Sequence, residues 1–143
     1  MKPYVWQARV YYEDTDAGGV VYYANYLKFM ERARTEWLRD MGVEQDSLAK
    51  EWNVLFAVRS VNIEYKKPAR FNDALGVTVV PHALKPASIS FKQDINHVKE
   101  KEGDEDSLLT TSEVNVVCLS AEDFSPTPIP KPLFKIIQSG EIK

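Results

Sequence analysis

Three acids and two glycines fall close together near the start of this chain: Glu13, Asp14 and Asp16, then Gly18 and Gly19. An amphipathic pattern follows at once, headed by Tyr22, Tyr23 and Asn25. That order puts a carboxylate and a freely bending turn beside the positive end of a helix. Attack on a carbonyl needs both parts: an oxygen base or nucleophile, and N–H donors aimed at the developing oxyanion. Asp16 is the candidate acid, and the chemistry it implies makes the protein an enzyme. Gly18 and Gly19 lack Cβ atoms, so the backbone there can approach a reacting group and take turn angles closed to other residues. Asp14 is expected to hold the turn itself, the commoner role of such an acid.

The elements around this segment follow from periodicity. Val5 to Tyr12 mixes β-branched and aromatic residues with polar ones and predicts a strand. Asp14 to Ala24 reads as turn and helix start. Tyr26, Phe29, Met30, Ala33, Trp37 and Met41 share one face of a helix over Asn25 to Met41, with Lys28, Arg32, Thr35, Glu36 and Arg39 opposite. Asn25 is the expected N-cap, and Gly42 the stop. Glu31 and Arg34, three apart, are expected to form an intrahelical or interface ion pair.

A short helix is expected over Glu44 to Glu51. Strands are expected over Val54 to Tyr65, Ala74 to Leu84, Ser88 to Val98 and Leu108 to Leu119. In the third of these, Ile89, Phe91, Gln93 and Ile95 alternate with Ser90, Lys92 and Asp94. The charged run Lys99 to Ser107 reads as a solvated turn, with Gly103 permitting a tight reversal. Four prolines between Ser125 and Pro132 exclude a sheet interior and leave an extended tail, followed by a helix over Leu133 to Gln138. Long strands joined by short turns favour an antiparallel sheet. One helix covers one face of it, so the other face calls for a second subunit.

The chain has 143 residues, which fits one domain over 1–143. Its net charge of −3 argues against a nucleic-acid partner. No run of about 18 apolar residues is present to span a membrane, and the N-terminus lacks the apolar stretch of a signal peptide. The single cysteine, Cys118, lies in an apolar run and reads as buried. The absence of a cysteine pair suits the cytoplasm. His82 and His97 stand in no catalytic or ligand motif, so neither a thiol–imidazole pair nor a metal is expected.

The segment Tyr11 to Arg39, YYEDTDAGGVVYYANYLKFMERARTEWLR, resembles the hotdog-fold acyl-CoA thioesterases. More narrowly it is similar to the Tol-Pal-associated, YbgC-type branch of the 4-hydroxybenzoyl-CoA thioesterase family. Phe56-Ala57-Val58-Arg59, Ile63-Glu64-Tyr65, Pro68-Ala69-Arg70 with Asp73, Glu113 to Cys118 and Pro130-Lys131 extend the resemblance over nearly the whole chain. It implies an α+β hotdog fold, a curved antiparallel sheet wrapped around one long helix. It also implies homodimers or homotetramers with sites at the subunit interface.

By the same resemblance, the catalytic carboxylate falls on Asp16 and the carbonyl-polarising amide on Tyr23. The YbgC branch usually has histidine where this chain has Tyr23, and the 4-hydroxybenzoyl-CoA branch has tyrosine. A backbone N–H survives that exchange; a side-chain imidazole does not. Tyr22 is a core residue or a pocket wall. Lys85 would contact coenzyme A, and Arg70, Arg59, Lys66 and Lys67 are further candidates for its phosphates. The substrate implied is an acyl-CoA or an acyl carrier protein thioester, with no cofactor. A non-catalytic acyl-binding or scaffolding module of an envelope-associated complex is the competing function. A hotdog dehydratase would need a histidine–acid pair in the site.

Overall fold

The computed structural model describes residues 3–99 and 105–140. Five strands form one sheet: β1 (Tyr4–Arg9), β2 (Val54–Tyr65), β3 (Ala74–Lys85), β4 (Ser88–His97) and β5 (Ser107–Ser120). Their order is β1-β3-β4-β5-β2, and every neighbouring pair is antiparallel. β3, β4 and β5 therefore form the middle, and β2 and β1 the edges. Register follows side-chain alternation. Ile89, Phe91, Gln93 and Ile95 point inward from β4, and Val114, Val116 and Cys118 from β5.

The long helix α1 (Asn25–Asp40) lies on that inward face. Tyr26, Phe29, Met30, Ala33 and Trp37 are buried as the helical spacing requires, and Trp37 meets Phe91 edge-on at 5.3 Å. Gly42, at φ 86°, ends it. Two shorter helices, α2 (Gln45–Trp52) and α3 (Lys131–Ser139), add Leu48, Leu133 and Ile137 to the core. Among the described residues no helix is long and apolar enough to cross a membrane. The charged turn expected over Lys99 to Ser107 lies largely outside the described residues.

Three local expectations are corrected. The first strand stops at Arg9, and Tyr12–Asp14 form a single 3-10 turn in place of its last residues. The cause is Asp14, whose carboxylate accepts the Tyr11 N–H at 2.8 Å and draws the chain out of the sheet. Asn25 is not the cap: Ala24 occupies that position without a side-chain bond, and Asn25 Nδ2 instead donates to Asp14 Oδ1 at 2.9 Å. Arg34 makes no intrahelical ion pair with Glu31, although the Glu31 charge still acts on it. It turns inward and donates to Gln93 Oε1 at 2.9 Å.

Candidate active site

Asp14-Thr15-Asp16 runs antiparallel to Val20-Val21-Tyr22 in a miniature hairpin, with Thr15 opposite Val21. Asp16 N–H donates to the Val20 carbonyl at 2.9 Å, and Tyr22 N–H to the Asp14 carbonyl at 3.1 Å. At its tip, Gly19 N–H closes on the Asp16 carbonyl at 3.0 Å with φ 79°, a left-handed value that glycine takes without strain. The hairpin has a second neighbour: Val21 N–H donates to the Ala69 carbonyl at 2.9 Å, which sets Val20 beside Arg70.

This scaffold divides the two aspartates. Asp14 is buried and both its oxygens are taken, one by Tyr11 N–H and the other by Asn25. Asp16 is exposed, and Oδ1 accepts Gly18 N–H at 2.8 Å. Asp16 Oδ2 has no partner among the described residues. The outer acid thus keeps one oxygen available while its carboxylate plane is held by the following turn.

The hairpin leads straight into α1. Asn25 N–H donates to the Tyr22 carbonyl at 2.8 Å. The N–H groups of Tyr23 and Ala24 have no acceptor among the described residues, as expected where a helix begins without a capping side chain. Two adjacent unbonded donors at the positive end of α1 are able to donate to the lone pairs of a negatively charged oxygen. Tyr22 is half-exposed, outside the core of the single chain, and its ring lies tilted against that of Tyr23 at 4.8 Å.

Two tyrosines absent from the sequence-derived site brace this helix start. The buried Tyr26 hydroxyl accepts Ala69 N–H at 3.0 Å. Tyr65, the last residue of β2, packs edge-on against Tyr26 at 5.3 Å and donates its hydroxyl to the Tyr23 carbonyl at 2.9 Å. Burial raises the Tyr26 pKa above its ordinary value, opposed by the Ala69 bond and helped by the Asp16 and Asp73 charges. Burial likewise raises Tyr65. Only the position of Tyr65 directly before Lys66-Lys67-Pro68, where the strand must end, hinted at this role.

Tyr23, Tyr26 and Tyr65 line a cavity of about 290 Å³ with Val21, Lys66, Lys67 and Pro68. Arg70 is exposed beside the hairpin. Lys85 is elsewhere in the chain: with Arg59, Ser60, Ser88, Ser90 and Asn115 it lines a polar cavity of about 240 Å³ on the sheet's outer face. A larger cavity of about 550 Å³ lies between β1 and α1, against Trp6, Phe29 and Leu75. It reaches Asp14 but not Asp16, so its size does not place the chemistry there. Asp16, Gly18, Gly19, Tyr22, Tyr23 and Arg70 are therefore gathered around one turn, and Lys85 stands apart from them. Among the described residues no cluster of histidine, cysteine or acidic side chains is placed to hold a metal.

Comparison with known proteins agrees with this architecture. Residues 10–136 match the family model described as the thioesterase-like superfamily. The acyl-CoA thioester hydrolase YbgC of Escherichia coli O6:H1 is 44% identical over 126 residues, covering 88% of this chain and 89% of its own. Among solved structures, a probable thioesterase from Bartonella henselae superposes with a TM-score of 0.81 at 35% identity, over 90% of this chain and all of that one. A mutant 4-hydroxybenzoyl-CoA thioesterase complexed with 4-hydroxybenzoyl-CoA shares the fold, with a TM-score of 0.86 at 16% identity over 95% of this chain and 99% of its own. The chain is an α+β protein of hotdog fold and belongs to the thioesterase-like superfamily.

Proposed function

We propose that this protein hydrolyses the thioester of an acyl-CoA, releasing a free acid and coenzyme A. The observation that carries this is the pairing of a half-free carboxylate on Asp16 with two acceptorless N–H groups at Tyr23 and Ala24, joined by one short hairpin. In this reading the thioester oxygen sits at the helix start, where the Tyr23 N–H polarises the carbonyl. Asp16 then acts in one of two ways. As nucleophile, Oδ2 bonds to the carbonyl carbon, the carbon–sulfur bond breaks, the thiolate leaves, and water opens the mixed anhydride. As general base, Asp16 takes a proton from water while the water oxygen attacks the same carbon and the thiolate departs. The thiolate takes up a proton in either case, so one thioester and one water give one acid and one thiol.

The similarity to YbgC of Escherichia coli supports the acyl-CoA substrate class. Gly18 and Gly19 leave room for the acyl group to approach, and Tyr22 forms part of its wall. Arg70, beside the hairpin, and Lys85, in its own polar cavity, are proposed to meet the phosphates of coenzyme A or the prosthetic group of an acyl carrier protein. Asp16 is exposed on the single chain. A homodimer or homotetramer supplies the missing wall, and the separation of Lys85 from Asp16 is bridged when one substrate spans two chains. A cytoplasmic setting fits an acyl-CoA substrate.

The test is a panel of acyl-CoAs with a thiol-reactive dye, run on the wild-type chain and on Asp16→Asn. Cys118 is fully buried and leaves the dye to the released coenzyme A. Turnover by the wild type and loss in the variant are expected. Equal, negligible turnover by both assigns the chain to an acyl-binding module instead. A single turnover in heavy-oxygen water then tests the covalent route: label in the Asp16 carboxylate marks an anhydride opened at the enzyme's own carbonyl, whereas label confined to the released acid fits activated water or an anhydride opened at the acyl carbon.

A further inference from the structure

β2 ends where α1 begins, and its last residue is held in place from three sides. Tyr65 stands opposite Thr110 of β5, so the strand ladder fixes where its phenol emerges. Its ring rests edge-on against Tyr26, 5.3 Å between centroids. Tyr26 is itself anchored by the Ala69 N–H. From that brace the Tyr65 hydroxyl donates to the Tyr23 carbonyl at 2.9 Å, across 42 residues of sequence.

The acceptor gives this bond its meaning. The Tyr23 carbonyl and the Ala24 N–H are two ends of one peptide group. The Tyr22 carbonyl and the Tyr23 N–H are two ends of the preceding one, and that carbonyl accepts Asn25 N–H at 2.8 Å. Each acceptorless N–H at the helix start therefore belongs to a peptide whose oxygen already accepts a hydrogen bond. Such a peptide is polarised, its N–H becomes a stronger donor, and its plane is held against rotation. The turn provides one of these bonds locally. The other comes from a side chain delivered by a distant strand, which points to a dedicated clamp.

We infer that Tyr65 is a positioning residue: its hydroxyl fixes and polarises the Tyr23–Ala24 peptide, so that the Ala24 N–H joins the Tyr23 N–H in holding the thioester oxygen. This rests on the oxyanion role proposed above for the helix start, and it adds a second donor and its support. Tyr65 touches no reacting atom; it acts through the backbone.

The experiment uses the full chain carrying Asp16→Asn, loaded with butyryl-CoA or benzoyl-CoA labelled with carbon-13 at the carbonyl, whichever the wild type turns over faster. Isotope-edited infrared difference spectra read the thioester carbonyl stretch. A downshift relative to free substrate is expected in Asp16→Asn and a smaller one in Asp16→Asn with Tyr65→Phe. A larger downshift is expected when residue 65 is a fluorinated tyrosine, whose more acidic hydroxyl donates more strongly. In the otherwise wild-type chain, Tyr65→Phe should lower kcat about tenfold at unchanged KM, short of the hundredfold or more that loss of a direct oxyanion donor costs. The fluorinated form keeps ring and hydroxyl, so it carries the test even if Tyr65→Phe does not fold. No downshift in Asp16→Asn removes the oxyanion role and this inference with it. A downshift that is the same for all three groups at residue 65 overturns the inference alone.

Discussion

The Asp14 carboxylate accepts the side-chain amide of Asn25 at 2.9 Å in a buried seam between the hairpin and the first turn of α1. Its other oxygen accepts the Tyr11 N–H at 2.8 Å. One side chain thus ties the segment that follows β1, the turn and the helix start together. Asp16, two residues on, faces solvent and bonds only within its own turn. The same residue type at a spacing of two is split between holding the scaffold and presenting a reactive oxygen.

The two acids should therefore separate cleanly in mutants. Asp14→Ala strands a buried amide and a backbone N–H that were bonded to a charge, which costs about 2–3 kcal/mol of stability. Asp16→Ala removes an exposed group and should shift stability by less than about 0.5 kcal/mol. Thioesterase turnover should fall by about a hundredfold or more in Asp16→Ala, in the range typical of a lost general base. Urea titration and initial rates on both variants check this. An unstable Asp16→Ala, or an active one, contradicts the division of labour.

The two glycines make a second contrast. A Cβ at Gly18 would stand 3.2 Å from Asp16 Oδ1, so Gly18→Ala must push the carboxylate aside by a few tenths of an ångström. That is a positioning error, expected to lower kcat several-fold, short of the roughly hundredfold a full ångström can cost. A Cβ at Gly19 meets nothing, but its φ of 79° penalises any L side chain. Gly19→Ala should cost about 1–2 kcal/mol of stability. Denaturation midpoints and kcat, measured for both, should move in opposite proportion.

Much of this arrangement is visible in the sequence, and what is not has a common cause. α1 and β4 announce themselves through period, because one face of each is buried over many residues. The turn at Asp16, Gly18 and Gly19 is legible because its chemistry is local. Asn25 carries a capping residue's signature, but its side chain is drawn off by Asp14, eleven residues back, which no local pattern reveals. The braces from Tyr65 and from Tyr26 span 42 and 43 residues, a separation no pattern of spacing encodes. Gln93 fits the inward row of β4, yet nothing local says why a polar amide belongs there.

The structure answers that last point. Gln93 is fully buried, donates to the Met30 carbonyl at 3.1 Å and to the Thr78 carbonyl at 3.3 Å, and accepts Arg34 at 2.9 Å. It ties α1 to β3 and partners a guanidinium whose pKa burial pulls below its ordinary value. Gln93→Leu leaves that cation without its acceptor and should cost about 2–3 kcal/mol. Gln93→Leu with Arg34→Met removes both sides and should recover most of the loss. A double mutant as unstable as the single one would show that packing, not the bond, sets the cost.

Tyr26 gives the chain an alkaline limit. Burial, its first cause, raises the folded pKa above the ordinary 10.0, and the nearby Asp16 and Asp73 charges add to it. The folded state therefore holds the phenolic proton more tightly than the unfolded chain does. That contribution is complete below the unfolded value and is lost as pH rises through the folded one. Stability should fall from about pH 10 upward, since the ionised phenol must be exposed to water. Tyr26→Phe should flatten this limb, because no proton remains to be lost. It should not abolish it, since Tyr4 and Tyr65 are raised by burial as well. At neutral pH the same variant should be about 1–3 kcal/mol less stable, because the Ala69 N–H loses its acceptor. Urea midpoints followed across the alkaline range should therefore converge for wild type and variant. Parallel curves would mean that Tyr26 ionises as freely in the fold as out of it.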